Sequence, residues 1–134
     1  MALHGFGILV FPPGAPIEAG AGIVLKNIFF DTKMAVLKDA SMVELDKVIQ
    51  MMADNPHLNI LISGHTDAIG KPKDNLVLSN DRALAVVKYL LASKQIAKTR
   101  IQSKGFGATK PIAKNTTEEG RSLNRRTELS VISN

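Results

Sequence analysis

Asp67 and Arg82 are the residues of this sequence whose types and spacing most suggest chemistry. Asp67 closes the run Gly64-His65-Thr66-Asp67, just beyond the apolar stretch Leu58 to Ser63, and Arg82 follows fifteen residues later within a helical pattern. In α/β sheets, ligands collect where a strand end faces the start of the next helix, because loops converge there and helix N-termini leave backbone N–H groups unpaired. A carboxylate and a guanidinium at such a place match a ligand that carries both an ammonium and a carboxylate, as an amino-acid head group does. Each charge-assisted hydrogen bond contributes about 1.5–3 kcal/mol, so two or three of them give modest affinity. The same pair also matches an intramolecular salt bridge tying the loop to the helix. Spacing alone favours that structural reading, since most Asp–Arg pairs are of this kind.

Other chemistry finds less support. His65 and Asp67 are two candidate metal ligands or an acid–base pair, but His57 follows the helix-breaking Pro56, His4 lies in the N-terminal segment, and there is no cysteine; two donors do not make a metal site. A structural hydrogen bond is expected of His65. Hydrolysis needs a nucleophile beside a base, or two carboxylates with separated roles, and no such set stands out. Ser63 lies in an expected core strand, and Ser79 near an expected helix start, where capping suffices. The densest basic cluster is Arg121 with Asn124-Arg125-Arg126, which fits a solvated face or sequence-independent phosphate contacts. Lys71-Pro72-Lys73 makes the loop before Asn75 basic and is read as solvated.

Composition narrows the classes. With 134 residues, 45% of them hydrophobic and 22% charged, the chain can bury one core and is too short for two ordinary domains. No apolar run reaches the ~18–20 residues that span a bilayer. The lack of cysteine excludes a disulfide scaffold and thiolate metal sites. Seventeen Lys and Arg against twelve Asp and Glu give a net charge of +5, which favours anionic polymers without choosing among them. Aromatics make up only 4%, with no Trp, which leaves few residues for a base-stacking platform.

The elements that must position Asp67 and Arg82 can be read along the chain. Residues 1–22, with Pro12-Pro13, Pro16 and five glycines, are expected to be a linker or lead-in, and residues 23–134 the folded domain. A first strand is expected over Ile23 to Phe30. A helix then follows, with Ser41 to Glu44 as a capping box and Leu45, Val48, Ile49 and Met52 on its buried stripe. Leu58 to Ser63 reads as a second, mostly buried strand. A polar loop from Ala68 to Asp74 leads to a second helix with the stripe Ala83, Val86, Val87 and Leu90. Thr99 to Lys104 is a third strand, Thr117 with Glu118 and Glu119 a capped helical turn, and Thr127, Leu129 and Val131 alternate as a half-buried closing strand. The order predicts an α+β fold, a βαβαββ two-layer sandwich with two main helices on one face of a four-stranded mixed sheet.

The ordered set Gly64-His65-Thr66-Asp67, Gly70, Asn75, Leu78-Ser79, Arg82-Ala83, Val87, Tyr89-Leu90, Gly105-Phe106-Gly107, Pro111-Ile112, Asn115, Thr117, Glu119-Gly120-Arg121 and Asn124-Arg125-Arg126 resembles the OmpA-like C-terminal domain. That domain is shared by outer-membrane protein A, peptidoglycan-associated lipoprotein and the flagellar stator B protein, and the likeness covers about residues 23–132. Phe106, where Tyr is frequent, and Thr127, in place of the usual Val, are mild departures. The resemblance implies a non-enzymatic domain that binds peptidoglycan non-covalently through the diaminopimelate residue of the stem peptide, with no cofactor and no metal. Asp67 would hold the amino group, Arg82 the carboxylate, and Asn75 would support them from the loop; Arg125 would add a contact, and Asp31 and Thr32 would line the first-strand loop. It further implies a monomer or weak dimer at the periplasmic face of a Gram-negative envelope, joined to the outer membrane only through an anchor upstream of Met1. The competing classes are a protein–protein scaffold module of the envelope and a basic α/β domain that binds nucleic acid.

Overall fold

The computed structural model describes residues 22–25, 28–30 and 33–134. Residues 1–21 of the expected 1–22 lead-in and the candidate site residues Asp31 and Thr32 lie outside the described residues, whereas Gly22 opens the first strand. The elements run β1 (Gly22–Leu25), α1 (Asp39–Asp54), β2 (Asn59–His65), α2 (Pro72–Ala92), β3 (Ile101–Gly105), α3 (Glu118–Asn124) and β4 (Arg126–Ser133). The sheet order is β1-β4-β2-β3, with β2 and β3 parallel and β4 antiparallel to both β1 and β2. This is the expected α+β sandwich on a mixed four-stranded sheet.

The core forms where the two periodicities meet. Along β2, Ile60 and Ile62 face the helices, opposite Val131 and Leu129 of β4, and all four are buried. The stripes Leu45, Val48, Ile49, Met52 of α1 and Ala83, Val86, Val87, Leu90 of α2 close over them. No helix among the described residues is long and apolar enough to cross a membrane.

The described ladder of β1 runs to Leu25, paired with Thr127, and residues 26–27 of the expected strand lie outside the described residues. Among the described residues the chain next pairs in an isolated bridge between Phe30 and Leu37. Three boundaries differ from expectation, each for a local reason. Helix α1 begins at Asp39, so Ser41 is not its cap; it is fully buried, and its Oγ takes the Phe29 N–H at 2.6 Å. Together with the bond from the Lys38 N–H to the Phe29 carbonyl, this fastens the loop over residues 28–38 to the helix. Helix α2 starts at Pro72, with proline in the first turn, where its missing N–H has no helical partner to lose. Lys71 and Lys73 therefore belong to the helix entrance rather than to a loop, and Asn75 lies inside the helix. Before β3, residues 98–100 form a 3₁₀ turn that delivers Arg100 to the end of α1.

Candidate ligand-binding site

The segment carrying Asp67 is set by a close approach of α2 to the sheet. Gly64 and Gly105 are register partners on β2 and β3. A Cβ on Gly64 would lie 2.3 Å from the Ser79 carbonyl oxygen, and one on Gly105 would lie 2.2 Å from the Asn80 nitrogen. Only glycine lets the helix settle there. The approach is hydrogen-bonded: the Gly105 N–H donates to Asn80 Oδ1 at 2.7 Å and the Gly107 N–H to Ser79 Oγ at 2.9 Å. Ser79 is thus buried in the body of α2, joining helix to loop, and is not a cap. Past the strand, Thr66 N–H donates to the Gly107 carbonyl and Ala68 N–H to Asn115 Oδ1, so the loop is sewn to the segment after β3. Asn75 donates to the Ile69 carbonyl at 3.0 Å and the Asp67 carbonyl at 3.4 Å, holding the loop from the helix side.

This places Asp67 at the rim of an open cleft of about 400 Å³. Its side chain is 12% exposed. Oδ1 accepts the Ile69 N–H at 2.9 Å, a local turn common to Asp. Oδ2 accepts Arg125 Nη1 at 2.8 Å. Arg125 also reaches Glu118, with Nη2 to Oε2 at 2.7 Å and Nη1 to Oε1 at 3.4 Å. Hydrogen bonding from Arg125, aided by its charge and by Arg121, holds the Glu118 carboxyl below the usual carboxylate range. Glu118 and Asp67 together raise Arg125.

Arg82 reaches the same cleft from α2 but does not pair with Asp67. Its Nε donates to the Met34 carbonyl at 2.8 Å, and its guanidinium lies 4.9 Å from the centre of the Phe30 ring. Burial, and then the positive charge of Arg125, lower its pKa. The salt bridge that spacing favoured for Asp67 is therefore made, but with Arg125: the loop is tied to the segment after α3 instead of to α2. Lys33 and Arg126 line the cleft too, with apolar Phe29, Phe30, Ile69 and Leu78 beneath. Among the described lining residues, four cations surround the single carboxylate of Asp67. Sequence reasoning missed the apolar and carbonyl contributions of the 28–38 loop, which come from outside any motif. It read Glu118 only as a complement to the α3 dipole, although its spacing of seven from Arg125 places the two within two helical turns.

His65 departs from expectation. Its side chain is 2% exposed and stacks on Phe106, with ring centres 5.3 Å apart, and among the described residues neither ring nitrogen has a hydrogen-bond partner. Its Nε2 stands 3.8 Å from Glu128 Oε1. Burial first, then the charge of Arg126, lower its pKa to about 4; Glu128 opposes the shift and Lys110 adds to it. A neutral ring sealed by an aromatic neighbour replaces the hydrogen bond anticipated there.

The fold is a two-layer sandwich with a cationic cleft at the strand ends, whose described lining holds one carboxylate. Residues 29–125 match the OmpA family, and the chain belongs to it. It is similar to outer membrane porin F of Pseudomonas fluorescens, with 38% identity over 117 residues that cover 87% of this chain and 35% of that protein. The chain spans about a third of the length of the first curated relatives it matches. Two solved structures are similar as well. The peptidoglycan-associated lipoprotein of Burkholderia pseudomallei has a TM-score of 0.69 and 26% identity, covering 80% of this chain and 88% of that one. The cell wall anchor of the T6SS from Pseudomonas aeruginosa has a TM-score of 0.68 and 28% identity, covering 84% and 80%.

Proposed function

We propose that this domain binds peptidoglycan non-covalently, through the diaminopimelate residue of the stem peptide, and tethers an outer-membrane or envelope protein to the wall from the periplasmic side. The observation that carries this reading is the convergence of Asp67, Arg82 and Arg125 on one cleft. The free end of diaminopimelate presents an ammonium and a carboxylate on one carbon. Asp67 Oδ2, at the rim, accepts from the ammonium. Arg82, its charge already disfavoured by burial and by Arg125, gains from a carboxylate placed between the two guanidinium groups. Asn75 keeps the Asp67 loop in place from the first turns of α2. Asp31 and Thr32 belong to the proposed site by the family resemblance alone. Nothing in this arrangement asks for bond making or breaking; the domain holds its ligand and does not transform it.

The names of the two similar solved proteins, a peptidoglycan-associated lipoprotein and a cell wall anchor, support the same role. Retention on purified sacculi tests it. The wild-type domain is expected to sediment with sacculi, and Asp67→Lys to stay in the supernatant. Equal sedimentation of both would overturn the reading.

A further inference from the structure

In this structure both oxygens of Asp67 are in use: Oδ1 by the Ile69 N–H and Oδ2 by Arg125 at 2.8 Å. A ligand ammonium on Oδ2 would stand beside the Arg125 guanidinium, a like charge on the same oxygen, so binding there favours moving Arg125 away. A guanidinium stripped of its anion in a partly buried setting is costly, so displacement would ordinarily oppose binding. Here a second anion is already in place. Glu118 Oε2 holds Arg125 Nη2 at 2.7 Å, and Oε1 stands 3.4 Å from the same Nη1 that bonds Asp67. A small turn of the guanidinium shortens the second distance and converts the three-way contact into a two-pronged Arg125–Glu118 pair, the strongest geometry open to an arginine and a carboxylate. Both partners can move without repacking the core, since the Arg125 side chain is 37% exposed and that of Glu118 is 64% exposed.

We propose that Glu118 is a positioning residue for the site: it receives Arg125 when a ligand ammonium takes Asp67, so that binding exchanges one cation for another on a single carboxylate. The inference rests on the peptidoglycan reading above. Its consequence is that the unliganded Asp67 is already paired with an arginine of the domain itself. Glu118 lowers the cost of moving that arginine, without touching the ligand itself.

The test is a double-mutant cycle read by calorimetric titration with meso-diaminopimelate. Glu118→Gln keeps the shape and removes the charge. In the wild-type background it is expected to weaken binding about three- to tenfold, because Arg125 is left with Asp67 as its only anion among the described residues. In the Arg125→Gln background, where nothing competes for Asp67, it is expected to change affinity by less than about twofold. An equal loss in both backgrounds would mean a direct ligand contact or a fold effect and would overturn the relay, as would no loss in the wild-type background. If the unmodified domain does not bind the probe at all, the peptidoglycan reading itself fails and the relay fails with it.

Discussion

At the end of β2 the sequence places an imidazole where it cannot easily be charged. His65 is buried against Phe106, with Arg126 and Lys110 nearby and, among the described residues, Glu128 as its close anion. In the folded chain its pKa is about 4, below the ordinary 6.5. Between those values the unfolded chain takes up a proton that the folded chain refuses, so stability falls as pH drops from about 6.5 to about 4. A shift of this size corresponds to about 3 kcal/mol. Urea denaturation at stepped pH is expected to show that loss in the wild type and a much flatter profile in His65→Gln. Parallel profiles would mean that another group carries the acid sensitivity. Gly64 makes a second prediction at the same scale. A methyl there meets the Ser79 carbonyl, backbone that cannot swing aside, so Gly64→Ala is expected to cost roughly 3 kcal/mol in denaturant midpoint analysis.

Among the elements, α1 shows how a helix can depend on a residue far along the chain. It has no basic residue in its last turn. Arg100 supplies the missing donors, its Nη2 bonding the Met52 and Asn55 carbonyls at 2.9 and 2.7 Å and its Nε the Leu58 carbonyl at 2.9 Å. Two helix-end acceptors and the carbonyl just before β2 thus share one planar fork. Arg100→Ala is expected to destabilise the fold by about 2–3 kcal/mol, and Arg100→Lys to recover only part, since an ammonium cannot span that geometry. Full recovery by lysine would show that charge alone suffices. Thr117, whose Oγ1 accepts the Gly120 N–H at 3.0 Å, caps α3 as its sequence suggested; Thr117→Ala is expected to cost about 1 kcal/mol by the same measurement. Periodicity made the helices and β2 to β4 legible, because burial enforces it at every turn. Element ends were less legible. Ser41 had the spacing of a cap, yet tertiary contact with Phe29 claimed it. The candidate site was legible to the extent that Asp67, Asn75, Arg82 and Arg125, named from the sequence, line one cleft. Its pairing was not, because Arg125 reaches Asp67 from 58 positions away, a proximity that only the assembled sheet creates.

For the molecule as a whole, a net charge of +5 and a cationic cleft suit a polymeric partner rich in carboxylates. A single head-group site held by two or three charge-assisted bonds binds modestly, yet a tether needs no more. Many copies facing one polymer raise retention by avidity, so single-site weakness and firm anchoring are compatible. The central claim is that Asp67 and Arg82 hold the two ends of one zwitterion. Calorimetric titration of the domain with meso-diaminopimelate, compared with lysine-containing stem peptide, tests it most directly. The account predicts saturable binding of diaminopimelate by the wild type, weaker binding of the lysine peptide, and at least a tenfold loss in both Asp67→Asn and Arg82→Ala. Unchanged affinity in the two variants would contradict it.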